Sequence, residues 1–264
     1  MTTLQRAPVL FISHGAPTFA LEPGVLGARL QEIGASLGAL RAVVVVSPHW
    51  QTRDLRVAIT ALPQTIHDFG GFDPKLYTLA YPAPGAPEVA QEAIRLLADA
   101  GLPAHGDAQW GLDHGAWVPM MHLLPDARVP VFQVSVPYDL STQGAIALGR
   151  ALAPLRDQGV AIVGSGSMTH NLSEFRGATN HVAPYVSEFT DWIRAAVLRR
   201  DVGALVDYRK SAPHAARAHP TEEHFLPLHV AIGATDDGEA ATVLEGQTTF
   251  GIINMESYGW GLPH

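Results

Sequence analysis

The chain has 264 residues, no cysteine, and 17 Lys and Arg against 25 Asp and Glu, a formal net charge of −8. Without thiols, disulfides, iron–sulfur clusters and thiolate zinc sites are excluded, so any metal has to be held by histidine and carboxylate. The acidic balance, with no long basic run, argues against a nucleic-acid partner; no stretch nears the ~20 apolar residues of a membrane span, and no long apolar leader opens the chain, so a cytoplasmic protein that engages no membrane is expected.

The first predicted strand, Val9 to Ser13, runs straight into His14 and a Gly-Ala-Pro turn. A period near 3.6 then predicts a helix over Val25 to Leu37. Its "GASLG" fits the G-x-S-x-G pattern of serine hydrolases, but that motif needs a strand before the serine and a helix after it, the reverse of the order here. The second strand, Ala42 to Ser47, is followed by Pro48 and His49, and a third is expected at Arg56 to Ile59.

Residues 61 to 86 are irregular and rich in Gly, Pro and aromatics. A loop of this length inside a compact domain is usually functional. Phe69, Phe72, Tyr77 and Tyr81 are costly to leave in water, so the loop reads as a lid or pocket wall. His67, Phe69 and Phe72 are its candidate substrate contacts. A helix over Pro87 to Ala100 follows, and then "WGLDHGAWVPM", where Asp113 caps a helix start and His114 sits just inside it.

A strand at Val129 to Val136 and a helix over Gln143 to Leu155 lead to the strand Val160 to Gly164, which opens into "GSGSMTHN" and His170. That glycine pattern lacks both G-x-G-x-x-G and a P-loop Lys-Ser/Thr, so its small residues read as allowing a close backbone approach. After a helix over Ala183 to Leu198, "HPTEEHFLPL" predicts a helix start with Thr221 as N-cap, Glu222 and Glu223 in the first turn and His224 at the third helical position. Late strands are expected at Thr242 to Leu244 and Thr248 to Asn254. The remaining histidines, His105, His122, His181, His214, His219, His229 and His264, read as structural or surface residues.

Near-continuous apolar strands alternating with amphipathic helices imply an α/β fold: a mainly parallel central sheet flanked by helices. With no repeat or linker, residues 1–264 read as a single domain. In such a sheet ligands bind beyond the carboxyl ends of the strands. His14, His49 and His170 all follow strands, so three imidazoles from remote positions converge on one crevice, and a metal is the natural explanation. From the residues alone, His224 or one of its neighbours Glu222 and Glu223 completes the set.

"SHGAP", "SPHW", "IHDFGGF", "YPAPGAPEVA", "GLDHGAWVP", "GSGSMTHNL" and "HPTEEHFLPL", in this order over residues 8 to 232, together resemble the class III extradiol ring-cleavage dioxygenases, in the branch of the DOPA 4,5-dioxygenases. The resemblance implies a mononuclear non-haem Fe(II) site, with Zn(II) able to stand in its place. It places the ligands at His14, His49 and His224, the acid–base histidine at His170, and a histidine that touches substrate from beyond the metal at His114. The implied partners are a catechol and O2. Two other readings of the same residues are a zinc hydrolase using metal-bound hydroxide and a non-catalytic binding protein of the Memo type; retention of both His114 and His170 speaks against the latter. Neither the particular catechol nor the oligomeric state is legible.

Overall fold

A computed structural model describes residues 6–177, 179 and 181–263; the expected surface residue His264 lies outside them. The strands are β1 (Val9–Ser13), β2 (Ala42–Thr52), β3 (Arg56–Ala58), β4 (His105–Asp107), β5 (Val131–Pro137), β6 (Val160–Gly166), β7 (Thr242–Leu244), β8 (Thr248–Thr249), β9 (Ile253–Asn254) and β10 (Ser257–Trp260). Eight of them form one sheet in the order β4-β3-β5-β2-β6-β1-β10-β7, while β8 and β9 make a separate two-stranded ribbon. The central pairs β5-β2, β2-β6 and β6-β1 are parallel, as is β3-β4; β3-β5, β1-β10 and β10-β7 are antiparallel.

The helices are α1 (Gly24–Ser36), α2 (Pro87–Asp99), α3 (His114–Leu123), α4 (Thr142–Leu152), α5 (Pro184–Leu198), the short α6 (Val202–Val206), α7 (Tyr208–Ser211) and α8 (Ala215–Ala218), and α9 (Leu226–Gly233). Period-two alternation divides each central strand between two cores. Val9, Phe11, Val44, Val46 and Ile162 pack on one face with α2, α4, α5 and α9. Leu10, Ile12, Val43, Val45, Ala161 and Val163 pack on the other with α1 and α3. Apolar side chains on both faces explain why these strands read as unbroken hydrophobic runs.

Several expectations are corrected. The strand expected at Ala42 to Ser47 continues to Thr52, but its pairing with β5 lapses between Val46 and Gln51. Pro48 cannot donate to the ladder, so His49 lies in an irregular stretch inside β2 rather than after its end. The segment Thr221 to Phe225 is not helical: α9 begins at Leu226 with Phe225 as N-cap, and the Thr221 hydroxyl donates to Glu223 instead of capping. The segment Thr248 to Asn254 stands outside the main sheet. β4 and β10 were not expected, being only three and four residues long.

Candidate active site

β2, β6 and β1 are neighbours in the sheet, and the site gathers around their carboxyl-terminal parts. His14 follows β1, where its N–H donates to the carbonyl of Gly166 at the end of β6, 2.9 Å away. His49 reaches in from the irregular part of β2. His224 arrives from the turn before α9, pinned by the Ser167 N–H donating to its carbonyl at 2.8 Å. The backbone comes so close here that a Cβ on Gly166 would meet that carbonyl oxygen at 2.3 Å. The small residues of "GSGSM" therefore serve close approach.

His14, His49 and His224 each offer a ring nitrogen, and these lie within 4.8 Å of one another. The Nε2 atoms of His14 and His49 are 3.1 Å apart. Proton placement on His14 follows from its neighbours. The single hydroxyl hydrogen of Ser165 goes to the carbonyl of Gly115, so His14 Nδ1–H must donate to Ser165 Oγ, at 2.9 Å; its Nε2 then carries a lone pair. His224 Nδ1 donates to Glu223 Oε1 at 3.1 Å, and its Nε2 is buried without a hydrogen-bond partner. A buried unpaired nitrogen is costly, and the lone pair of His14 Nε2 is turned toward Nε2 of His49, 3.1 Å away. Nitrogens ligating one ion at ~2.0–2.1 Å sit ~3.0–3.4 Å apart, so this donor set fits a divalent cation.

Electrostatics keep the rings neutral, the state a ligand needs. Burial, then the neighbouring His49 and His114, holds His14 well below the ordinary histidine range. His224 is lowered likewise by burial, then by His170 and His49. His49 is pushed down to about 3, by burial first and His114 second, against the opposing pull of Asp68. Of the carboxylates that the sequence left open, Glu222 accepts the Tyr208 hydroxyl at 2.9 Å, and Glu223 backs His224.

Around this trio stand two further rings. His170 is stacked on His224 with centroids 3.5 Å apart, and its backbone N–H donates to the Ala218 carbonyl at 2.8 Å. Burial, then His114, pushes its pKa down to about 4. His114 opens α3, its ring centroid 3.9 Å from that of His49 and 5.5 Å from that of His14. Asp113 is the N-cap of α3, accepting from Ala116 N–H. It is fully buried and also accepts from Ser47 Oγ and Gln133 Nε2, both at 2.7 Å; burial raises its pKa.

The loop residues divide. Phe69 meets His114 edge-on, with centroids 5.6 Å apart, and Phe72 packs on Phe69. His67 belongs one layer out: it donates Nε2–H to the Leu79 carbonyl at 3.0 Å and packs on Phe69, Tyr77 and Trp117. Tyr81 is buried in the core, its hydroxyl donating to the Leu124 carbonyl, so it is no pocket wall. Arg217 spends two donors on Glu174 and lies over the Tyr185 ring. Sequence reasoning missed Asp68, which accepts from both the backbone N–H and the Nδ1–H of His114 at 2.9 Å. It also missed Ser165. Asp68 lies beside His67 in an aperiodic loop, and Ser165 reads as spacing between glycines.

A family model described as the catalytic LigB subunit of aromatic ring-opening dioxygenase matches residues 10–256. Among curated proteins, the 4,5-DOPA dioxygenase extradiol of Beta vulgaris is 38% identical over 252 residues, 94% of each chain. That of Escherichia coli strain K12 is 36% identical over 256 residues, 96% of this chain and 94% of its own. The crystal structure of an uncharacterized Escherichia coli K12 protein matches with a TM-score of 0.78 at 30% identity, covering 96% of this chain and 99% of that one.

Proposed function

Because the chain belongs to the LigB family of aromatic ring-opening dioxygenases, we propose that it is a metal-dependent enzyme that opens the ring of a DOPA-like catechol with O2, the bond broken lying beside the diol. Both oxygen atoms enter the product, a hydroxymuconic semialdehyde, so no external reductant is consumed. The observation that carries the reading is the buried, partnerless Nε2 of His224 beside the facing Nε2 atoms of His14 and His49. Three protein ligands leave positions open for small molecules, as a four-ligand structural site does not. When bound there, Fe(II) supplies redox chemistry linking a catechol to O2 that Zn(II), without an accessible redox change, does not.

The chain's own residues supply orientation and proton movement. His170 is neutral at physiological pH and has no side-chain hydrogen bond among the described residues, so it is free to take a catechol proton and return it as the ring opens. Such acid–base help typically contributes ~10²–10⁴-fold. His114, packed against His49 and His14, meets the substrate, and Phe69 and Phe72 supply an aromatic wall that shields the reacting groups from water.

The test is oxygen uptake by the protein reconstituted with Fe(II) in the presence of a panel of catechols, followed together with the visible absorbance of the ring-opened product. Stoichiometric uptake and yellow product are expected with iron and neither with zinc. Turnover supported by zinc, or an intact ring, overturns the reading.

A further inference from the structure

Asp68 is the nearest carboxylate to the imidazole pair His49 and His114, and its geometry is asymmetric. Oδ1 accepts the backbone N–H of His114 and Oδ2 accepts His114 Nδ1–H, both at 2.9 Å. His49 Nδ1 is 3.5 Å from the same Oδ2, at the outer edge of hydrogen-bond range. His114 is therefore the ring this carboxylate holds. The side chain of Asp68 is only 20% exposed and that of His114 only 7%, so solvent does little to compete. The other nitrogen of His114, Nε2, makes no hydrogen bond among the described residues and is not sealed from solvent.

A carboxylate has no hydrogen to give. With both oxygens accepting from one residue, Asp68 commits His114 to a single arrangement: proton on Nδ1, lone pair on Nε2. We propose that Asp68 is a positioning residue that fixes this tautomer and thereby makes His114 a hydrogen-bond acceptor, rather than a donor, toward the substrate hydroxyl. The inference rests on the reading of His114 as a substrate-facing residue, and it adds a direction to it. It also gives the Asp of "IHDFGGF" a role beside the aromatic wall of Phe69 and Phe72, while His67 lies one layer out.

Asn at position 68 is the discriminating change, because it keeps the shape and reverses one polarity. The buried His114 N–H still needs an oxygen, so the amide carbonyl turns to it and the amide NH2 faces Nδ1. That NH2 can only donate, which forces His114 into the Nε2–H form. The measurement is 15N NMR of histidine-labelled, Zn(II)-loaded full-length protein, at a pH above the ordinary histidine range, with the His114 signals assigned by their loss in His114→Gln. Wild type is expected to show His114 protonated on Nδ1, Asp68→Asn to show it protonated on Nε2, and zinc content to be equal in both. In the iron enzyme, Asp68→Asn is expected to lower kcat by ~10²–10⁴-fold with KM close to the parent value.

A wild-type His114 protonated on Nε2 overturns the inference without any variant having to fold. So does a tautomer that is unmoved by Asp68→Asn, or one that switches while kcat stays unchanged. If the wild-type iron enzyme opens no catechol at all, the proposed activity fails, and the tautomer measurement still decides what Asp68 does.

Discussion

The rings of His170 and His224 lie face to face, centroids 3.5 Å apart and planes 9° from parallel. Two residues from different segments thus share one surface, yet they are equipped for different tasks. His224 has its Nδ1 taken by Glu223 and its Nε2 buried without a partner, whereas the side chain of His170 makes no hydrogen bond among the described residues. His170→Ala is expected to retain metal and lose turnover by ~10²–10⁴-fold, while His224→Ala, like His14→Ala and His49→Ala, loses metal and turnover together. Metal content by atomic emission alongside oxygen uptake separates the two classes. An emptied site in His170→Ala would make it a ligand.

Gly115 sits in the first turn of α3, where alanine has the better helix propensity by ~1 kcal/mol. A Cβ there would meet Ser47 Oγ at 2.4 Å and His49 Cδ2 at 2.8 Å. Gly115→Ala is therefore expected to leave the helix content unchanged and to push His49 out of line, weakening metal binding at least ~10-fold, the scale on which disturbed ligand support acts. Competition with a chromophoric chelator measures this; an unchanged affinity would show that the ring has room to spare.

The buried neutral histidines set an acid limit on stability. His49 and His219 are pushed down to about 3 and His170 to about 4, each primarily by burial, from an ordinary value of 6.5. Above that value folded and unfolded chains both hold them neutral. As the pH falls below it, the unfolded chain takes up protons that the folded one refuses, so stability declines continuously until the folded-state values are reached. Asp113, raised by burial, works in the opposite direction, but His14, His224, His122 and His229 are lowered by burial as well, so the histidines dominate. The urea midpoint of chelator-treated protein is expected to drop between neutral pH and about pH 5. A flat midpoint would contradict the neutral assignment of these rings.

Much of this was legible in the chain because the buried strands write themselves plainly. Val9 to Ser13 and Val160 to Gly164 are buried on both faces; His14 directly follows the first, and His170 follows the second after five intervening residues. His49 reads from the sequence as following a strand but lies inside one, since Pro48 breaks the ladder without ending the strand. The helix start at Thr221 was misplaced because the proline, threonine and paired glutamates make a strong capping pattern, yet tertiary contacts engage those side chains elsewhere: Glu222 with Tyr208, Glu223 with His224. Asp68 stayed hidden beside the more conspicuous His67. In a loop without periodicity nothing in the order of residues says which neighbour faces inward. β10 was missed because four residues including a glycine carry little pattern, although it lies next to the first strand.

That adjacency reaches into how the site comes into being. The N–H of Ser13, the residue before His14, donates to the Ser257 hydroxyl, 244 positions away, and the Ser13 hydroxyl donates to the carbonyl of Glu256. His14, His49 and His224 are therefore all synthesised before the strand that seats the first of them. On the proposed reading of the three rings as metal ligands, cation capture is thus a closing event of maturation.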